Sequence, residues 1–359
     1  MNKKVCIAVI GCGRIATNGH FPAFAALTDR VRIKYACDLI REKAELKKKE
    51  YPALVEKVIT DYHDALKDPE VEAVYVLTPN YAHYVITMDA LRAGKHVFCE
   101  KPITVNYKLS VEMAEEAKKQ GKILNIGVCN RYNKSVEMLE EMNRNGKFGK
   151  IYHVYCSFRS YRCIPGLGGA FTTKAESGGG VLIDWGVHFL DLILYVLGGA
   201  KLQTVTCDAY NEMAKDMKKY SYLGMWAEDT KDIEHGINDV DDFISGYIRT
   251  DKASISFNGA WAQNIGEDEM FIDFLGDRGG ARLTYGGHFT FYTTDENNTL
   301  QKIEYSYNIP NHIQCEDDAF LKAVRSGEHT KTYIDEILES AKLLDALYKS
   351  ADQKCELKL

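Results

Sequence analysis

The sequence has no C-x-x-C pair, although ten cysteines are scattered from Cys6 to Cys355. Neither a zinc knuckle nor a small disulfide framework can be drawn from that spacing, so no metal is expected. The thiols read as reduced, with Cys6, Cys37, Cys99 and Cys129 as small core residues. There is no excess of base either. Lys and Arg number 45 against 51 Asp and Glu, a formal charge of −6, which argues against a non-specific nucleic-acid binder. No uninterrupted apolar run reaches the ~20 residues of a membrane span; the longest, 181–197, is broken by Asp184, His188 and Asp191. Only Pro165 and Pro310 lie beyond residue 150, so no proline-rich linker divides the chain, and no repeat or low-complexity tract is visible. Lys3 and Lys4 before the apolar run 5–10 imitate a signal peptide. That run is short, however, and passes into a glycine turn bearing Arg14 instead of a cleavage site, so a cytoplasmic chain is expected. What is there, 359 residues of which 45% are apolar, suits a globular protein of about two domains.

The first 130 residues alternate between apolar runs of strand length (5–10, 31–37, 71–77, 96–99, 123–128) and Ala/Lys/Glu-rich stretches of helical spacing (41–51, 82–93, 107–120). Alternation of this kind, with continuously apolar strands, predicts a parallel sheet covered on both faces. Past residue 150 the texture changes to period-two segments rich in Tyr, Phe and Thr (151–161, 242–250, 254–260, 270–275, 289–294). These predict a mostly antiparallel sheet. A strongly apolar helix over 181–197 interrupts them, helices over 314–326 and 334–350 close the chain, and 211–239 reads as an irregular loop. The expected domains are 1–130 and 131–359, with the final helices free to pack back on the first.

Gly11-Cys12-Gly13-Arg14-Ile15-Ala16 follows the first strand directly. This G-x-G-x-x-A pattern is a dinucleotide-binding turn: Gly11 turns the chain, Gly13 lets the backbone approach a pyrophosphate, and Ala16 permits close packing. Asp38, at the end of the second strand, is placed to accept hydrogen bonds from both adenosine-ribose hydroxyls. It would repel a 2′-phosphate, favouring NAD over NADP, although Arg41 is close by. The loop Thr78-Pro79-Asn80-Tyr81-Ala82-His83 ends another strand and should face the cofactor, with Asn80 alternatively an N-cap of the helix carrying His83, and His83 itself alternatively a structural residue of that helix. Glu100-Lys101-Pro102 ends the next strand, where Lys101 could position or protonate a substrate oxygen.

Ser177-Gly178-Gly179-Gly180 leads into the helix over 181–197, which is apolar almost all round and should be buried. Yet Asp184, His188 and Asp191 stand on one stripe at i, i+4 and i+7, and burying three ionisable groups is costly. A self-satisfied core pair, a metal site and an active-site wall compete; the last makes His188 an acid/base and Asp184 its orienting partner. In the strand over 151–161, Tyr152, Val154, Cys156 and Phe158 alternate with His153, Tyr155, Arg159 and Tyr161. The polar-aromatic face suits either sugar hydroxyls or a subunit interface.

The G-x-G-x-x-A turn, His20-Phe21-Pro22-Ala23, Thr78-Pro79-Asn80, Glu100-Lys101-Pro102, and Gly179-Gly180 leading to Asp184-x-x-x-His188 together resemble the glucose-fructose oxidoreductase/inositol dehydrogenase/rhizopine-catabolism (Gfo/Idh/MocA) family. Asp241-Asp242-Phe243 and the glycines of 276–280 are similar in style. The resemblance implies an α/β chain: an N-terminal Rossmann parallel sheet plus a C-terminal α+β domain with a large open, mostly antiparallel sheet that commonly builds homo-oligomers. It implies oxidation or reduction of a carbohydrate or cyclitol hydroxyl by NAD, with Lys101, Asp184 and His188 as the catalytic group. Gly11, Gly13, Arg14, Ile15, Asp38, Thr78, Asn80, His83, Glu100 and Lys101 are then the expected cofactor contacts. Arg131, Tyr155, Arg159, Tyr161, Asp184 and His188 are the expected substrate contacts. The family often has a proline after the segment matching Asn130-Arg131-Tyr132, where this chain has Asn133 and Lys134. A glucoside oxidised at C3, an inositol, an NAD-dependent glycosidase working by transient oxidation, and a non-enzymatic NAD-binding regulator all remain open.

Overall fold

The computed structural model describes residues 3–104 and 106–359. The chain divides into two compact units, one running up to Tyr132 and including Pro310–Leu338, the other comprising Asn133–Ile309 and Glu339–Leu359. The helix His312–Ser326 therefore belongs to the first unit.

The first unit is built on six strands: β1 Val5–Ile10, β2 Val31–Cys37, β3 Val55–Ile59, β4 Ala73–Val76, β5 His96–Glu100 and β6 Leu124–Gly127. All neighbours are parallel, in the order β3-β2-β1-β4-β5-β6, the arrangement that binds dinucleotides where the strand order reverses. Every residue of β1 and β4 is buried, as strands covered on both faces require. β3 escaped the sequence reading because it is an edge strand whose Glu56 and Lys57 face solvent. Helix Tyr107–Gln120 behaves as its caps dictate: Asn106 accepts from Lys108 N–H at the start, and left-handed Gly121 ends it.

The second unit is a nine-stranded sheet: β7 Ile151–Arg159, β8 Leu202–Tyr210, β9 Phe243–Thr250, β10 Ser254–Ala260, β11 Glu269–Gly276, β12 Gly279–Thr284, β13 Phe289–Thr294, β14 Leu300–Glu304 and β15 Leu357–Lys358. Its order is β14-β13-β12-β11-β7-β10-β9-β8-β15, antiparallel except for β7 beside β10. One face of β7 packs inward through Val154, Cys156 and Phe158, with the Phe158 ring 4.8 Å from Phe189 of the helix Val187–Val196. Tyr152 departs from expectation and is 52% exposed. The register of β7 against β11 slips at this point, with Gly276 opposite Ile151 and Leu275 opposite His153, so the bulge turns Tyr152 outward and gives its inner place to Ile151. The segment 211–239 contains only two short 3₁₀ turns, Met217–Lys219 and Glu228–Thr230.

One helical run of the described residues, Lys174–Val196, is long and apolar enough to cross a bilayer, contrary to the reading from its three polar interruptions, but 78% of its most apolar window is buried in the protein. That is the burial of a core helix.

Candidate active site

At Gly11 the backbone has φ +96°, and a Cβ would stand 2.4 Å from the Leu77 carbonyl oxygen. Only glycine fits there. At Gly13 the situation reverses, because a Cβ would meet no atom within 4 Å. The missing side chain leaves open space over the backbone, which is the cradle a pyrophosphate needs. Arg14 and Ile15 open the following helix exposed, and Ala16 is buried. The helix then takes a π turn over Ala16–His20, closed by Phe21 N–H donating to the Ala16 carbonyl. Such turns are rare and recur at functional sites.

Asp38 grips this turn. Its Oδ2 accepts from Cys12 N–H and its Oδ1 from Ile40 N–H, each at 2.9 Å, and both oxygens retain lone pairs for ribose hydroxyls. Arg41 is engaged with Glu45 at 2.8 Å. In the loop after β4, the Thr78 hydroxyl oxygen is buried and has no hydrogen-bond partner among the described residues, a vacancy that a polar atom of the dinucleotide would fill. Asn80 starts the 3₁₀ turn Asn80–Ala82 and does not cap the next helix, whose N-cap is Ala82. Open cradle, ribose acceptor and orphaned hydroxyl together fit NAD.

Three residues expected at the site are instead part of its foundations. His83 is fully buried, with Nδ1 2.7 Å from the Pro102 carbonyl and Nε2 2.9 Å from that of Thr78. Burial opposes charge on this ring, but the neighbouring Cys99 and the two carbonyls favour it, raising His83 to about 9. It braces two loops and offers no free nitrogen to a cofactor. Glu100 is buried too, taking His20 Nε2 on Oε1 and Lys101 N–H on Oε2, both at 3.0 Å. Arg131, expected to bind substrate, is 3% exposed and donates to the carbonyls of Lys331 and Glu336 at 2.8 and 3.1 Å. Asn133, standing where the family often has proline, N-caps helix Lys134–Arg144 by accepting from Ser135 N–H. Lys101 itself is half-buried at the end of β5, and the bond joining it to Pro102 is cis.

In the second unit the expected helix begins as a π turn, Leu182–Gly186, and becomes α-helical at Val187. Asp184 lies in the π turn and His188 just beyond it. Both are half-buried, while most of their neighbours are sealed. With i→i+5 bonding, residues four and five apart share a face. The turn is anchored by a residue the sequence reading left without a role: Asp241, just before β9. Its Oδ1 accepts from Gly180 N–H at 2.8 Å and its Oδ2 from Leu182 N–H at 2.9 Å. A Cβ on Gly180 would lie 1.9 Å from the Asp241 carbonyl oxygen, and one on Gly179 would lie 2.1 Å from the Tyr348 hydroxyl, so the glycine pair permits this close approach. The signal was present in Asp241-Asp242 standing immediately ahead of an apolar strand.

Asp191 does not join the stripe, since it is buried and receives a 2.6 Å hydrogen bond from Ser340. Tyr155 and Arg159, expected at the substrate, lie on the face of β7 opposite Phe158 and its helix. There Arg159 pairs with Glu269, and Ser157 bridges Asn258 and Glu269. Tyr161 lies past the strand, its ring 5.3 Å from the Arg162 guanidinium, which also faces Tyr220 at 5.7 Å.

A dinucleotide fold joined to a large open sheet defines a class of NAD-binding oxidoreductases. Residues 5–128 match the profile "Oxidoreductase family, NAD-binding Rossmann fold", and residues 136–282 match "GFO/IDH/MocA C-terminal domain". The chain belongs to the Gfo/Idh/MocA family. It is 29% identical over 360 residues to D-glucoside 3-dehydrogenase of Escherichia coli (strain K12), covering 98% of this chain and 97% of that protein. It is 26% identical to myo-inositol 2-dehydrogenase of Thermotoga maritima, covering 98% of each. Levoglucosan dehydrogenase, solved with NADH and levoglucosan, has the same fold, with TM-score 0.84 over 99% of both chains at 18% identity.

Proposed function

We propose that this enzyme oxidises a secondary hydroxyl of a sugar or glycoside, with Lys101, Asp184 and His188 carrying the chemistry. The observation that carries the reading is the partial exposure of Asp184 and His188 on a helix that is otherwise almost wholly buried. NAD, held at Gly11, Gly13, Asp38 and Thr78, supplies the hydride acceptor when bound. His188 takes the hydroxyl proton, and Asp184 orients the imidazole or a neighbouring hydroxyl. Lys101 donates a hydrogen bond to a substrate oxygen and stabilises charge developing there. The glucoside C3 hydroxyl is favoured because the E. coli glucoside dehydrogenase is similar over nearly the whole chain.

The outward face of the nine-stranded sheet supports a homo-oligomer. It presents Tyr155, 50% exposed, among the paired groups Arg159–Glu269 and Arg282–Asp273, and tyrosine and arginine are enriched in interface cores.

The test is incubation of the purified protein with aryl glucosides, free sugars and inositols, recording product mass beside nicotinamide absorbance. A product two hydrogens lighter than a glucoside supports the reading. An oxidised inositol would move the substrate to cyclitols. Cleavage without net absorbance change would indicate transient oxidation, and an unchanged panel would contradict the proposal.

A further inference from the structure

The roles above leave unexplained why the first unit buries three ionisable side chains in mutual contact. His20 and Asp317 are both fully buried, and Glu100 nearly so. His20 Nδ1 lies 3.0 and 3.1 Å from the two Asp317 oxygens, and Nε2 lies 3.0 Å from Glu100 Oε1. The rings of Phe98, Tyr75 and Phe24 wall the imidazole at 5.2 to 5.9 Å. Burial raises Asp317 and His20 beside it pulls it back down; with Asp317 and Glu100 both ionised neither has a proton to offer, so both ring nitrogens donate and the ring is an imidazolium. Burial opposes that charge, but Asp317 and Glu100 outweigh it and lift His20 to about 10. Tyr75 and Cys129 border the same cluster, with Glu316, and burial holds both above their usual ranges, so they stay neutral.

A buried ion cluster is poor evidence for stability, because apolar side chains of like volume often serve as well. Its connections suggest another use. His20 is the last residue of the π turn that continues the pyrophosphate-binding loop, whereas the second oxygen of Glu100 accepts from Lys101 N–H at 3.0 Å.

We propose that His20 is a positioning residue: held by Asp317, it fixes Glu100, and through Glu100 it ties the main chain of Lys101 to the helix that seats the dinucleotide. The inference rests on the role proposed for Lys101.

The test compares His20→Gln, Glu100→Gln and Asp317→Asn, alone and combined with Lys101→Ala. Glu100→Gln and Asp317→Asn should each lower kcat about 10-fold or more, with substrate KM and the NAD dissociation constant within about 3-fold. Neither should lower the residual rate further when Lys101 is already alanine. A second readout uses the chain without cofactor. The folded-state value of His20 lies above its unfolded value near 6.5, so its contribution to stability is complete below that pH and is lost as pH rises through about 10. The melting temperature of the native chain should therefore fall over this interval more steeply than that of His20→Gln. Unchanged kcat in Asp317→Asn, or an equal loss with and without Lys101, overturns the proposal. Full turnover in Lys101→Ala alone would instead remove the role of Lys101, leaving the melting comparison to report on the charge cluster by itself.

Discussion

Asp184 and Asp191 stand seven residues apart on one continuous helical run, yet Asp191 is buried and takes a 2.6 Å hydrogen bond from Ser340 inside the second unit while Asp184 is only half-buried. The two carboxylates should therefore separate experimentally. Asp191→Ala is expected to cost about 1–3 kcal/mol by stranding its buried partner, seen in chemical denaturation, with kcat per folded molecule nearly unchanged. Asp184→Asn should leave the denaturation midpoint in place and lower kcat about 10²-fold or more.

The two glycines of the first turn make a similar pair. Gly11→Ala drives a methyl to 2.4 Å from the Leu77 carbonyl oxygen, whereas Gly13→Ala meets nothing within 4 Å. Gly11→Ala should thus lower the melting temperature of the cofactor-free chain. Gly13→Ala should leave it unchanged yet weaken NAD binding at least 10-fold in a titration of protein fluorescence.

Asp38 should discriminate cofactors as well as hold the turn. Asp38→Asn keeps an acceptor for only one of the two backbone amides it holds, Cys12 or Ile40, and removes the charge that opposes a 2′-phosphate. The ratio of kcat/KM for NAD over NADP should fall about 10-fold or more, with a stability loss of about 1 kcal/mol from the amide left without its acceptor.

Asp242 supplies a pH test in the second unit. Its Oδ2 accepts from Glu212 and Met213 N–H at the start of the irregular segment, and burial, reinforced by Asp241, raises it to about 6. A carboxyl raised above its unfolded value contributes stability that is complete below pH ~4 and is lost as pH rises through 6. The native chain should lose melting temperature across that interval relative to Asp242→Asn; parallel curves would contradict this assignment.

Much of this architecture was legible in the sequence because parallel strands buried on both faces must be continuously apolar, as β1 is. The strands that escaped, β3, β8, β12, β14 and β15, each expose charged or polar side chains on at least one face, which erases the apolar run. At the site, the motifs located the backbone turns but not the direction of each side chain. Glu100 and Lys101 are adjacent in an extended segment, so they point to opposite sides, and only one of them could face a cofactor. Arg131 misses the substrate, and His83 takes its structural reading over its cofactor one, for a related reason. Their partners are main-chain carbonyls at Lys331, Glu336, Thr78 and Pro102, and carbonyls leave no trace in residue type. The bulge at Tyr152 and the two π turns likewise depend on one extra residue in an otherwise regular pattern.

The most direct test of the chemistry supplies methyl glucoside, and separately myo-inositol, with deuterium at every ring C–H bond. After turnover the protein is denatured, so that tightly held cofactor is also recovered, and the mass of the nicotinamide is read. The account predicts one deuterium per reduced cofactor with at least one of these substrates, and none with His188→Ala or Lys101→Ala. Substrate consumed by the native enzyme with no deuterium in the nicotinamide would contradict it.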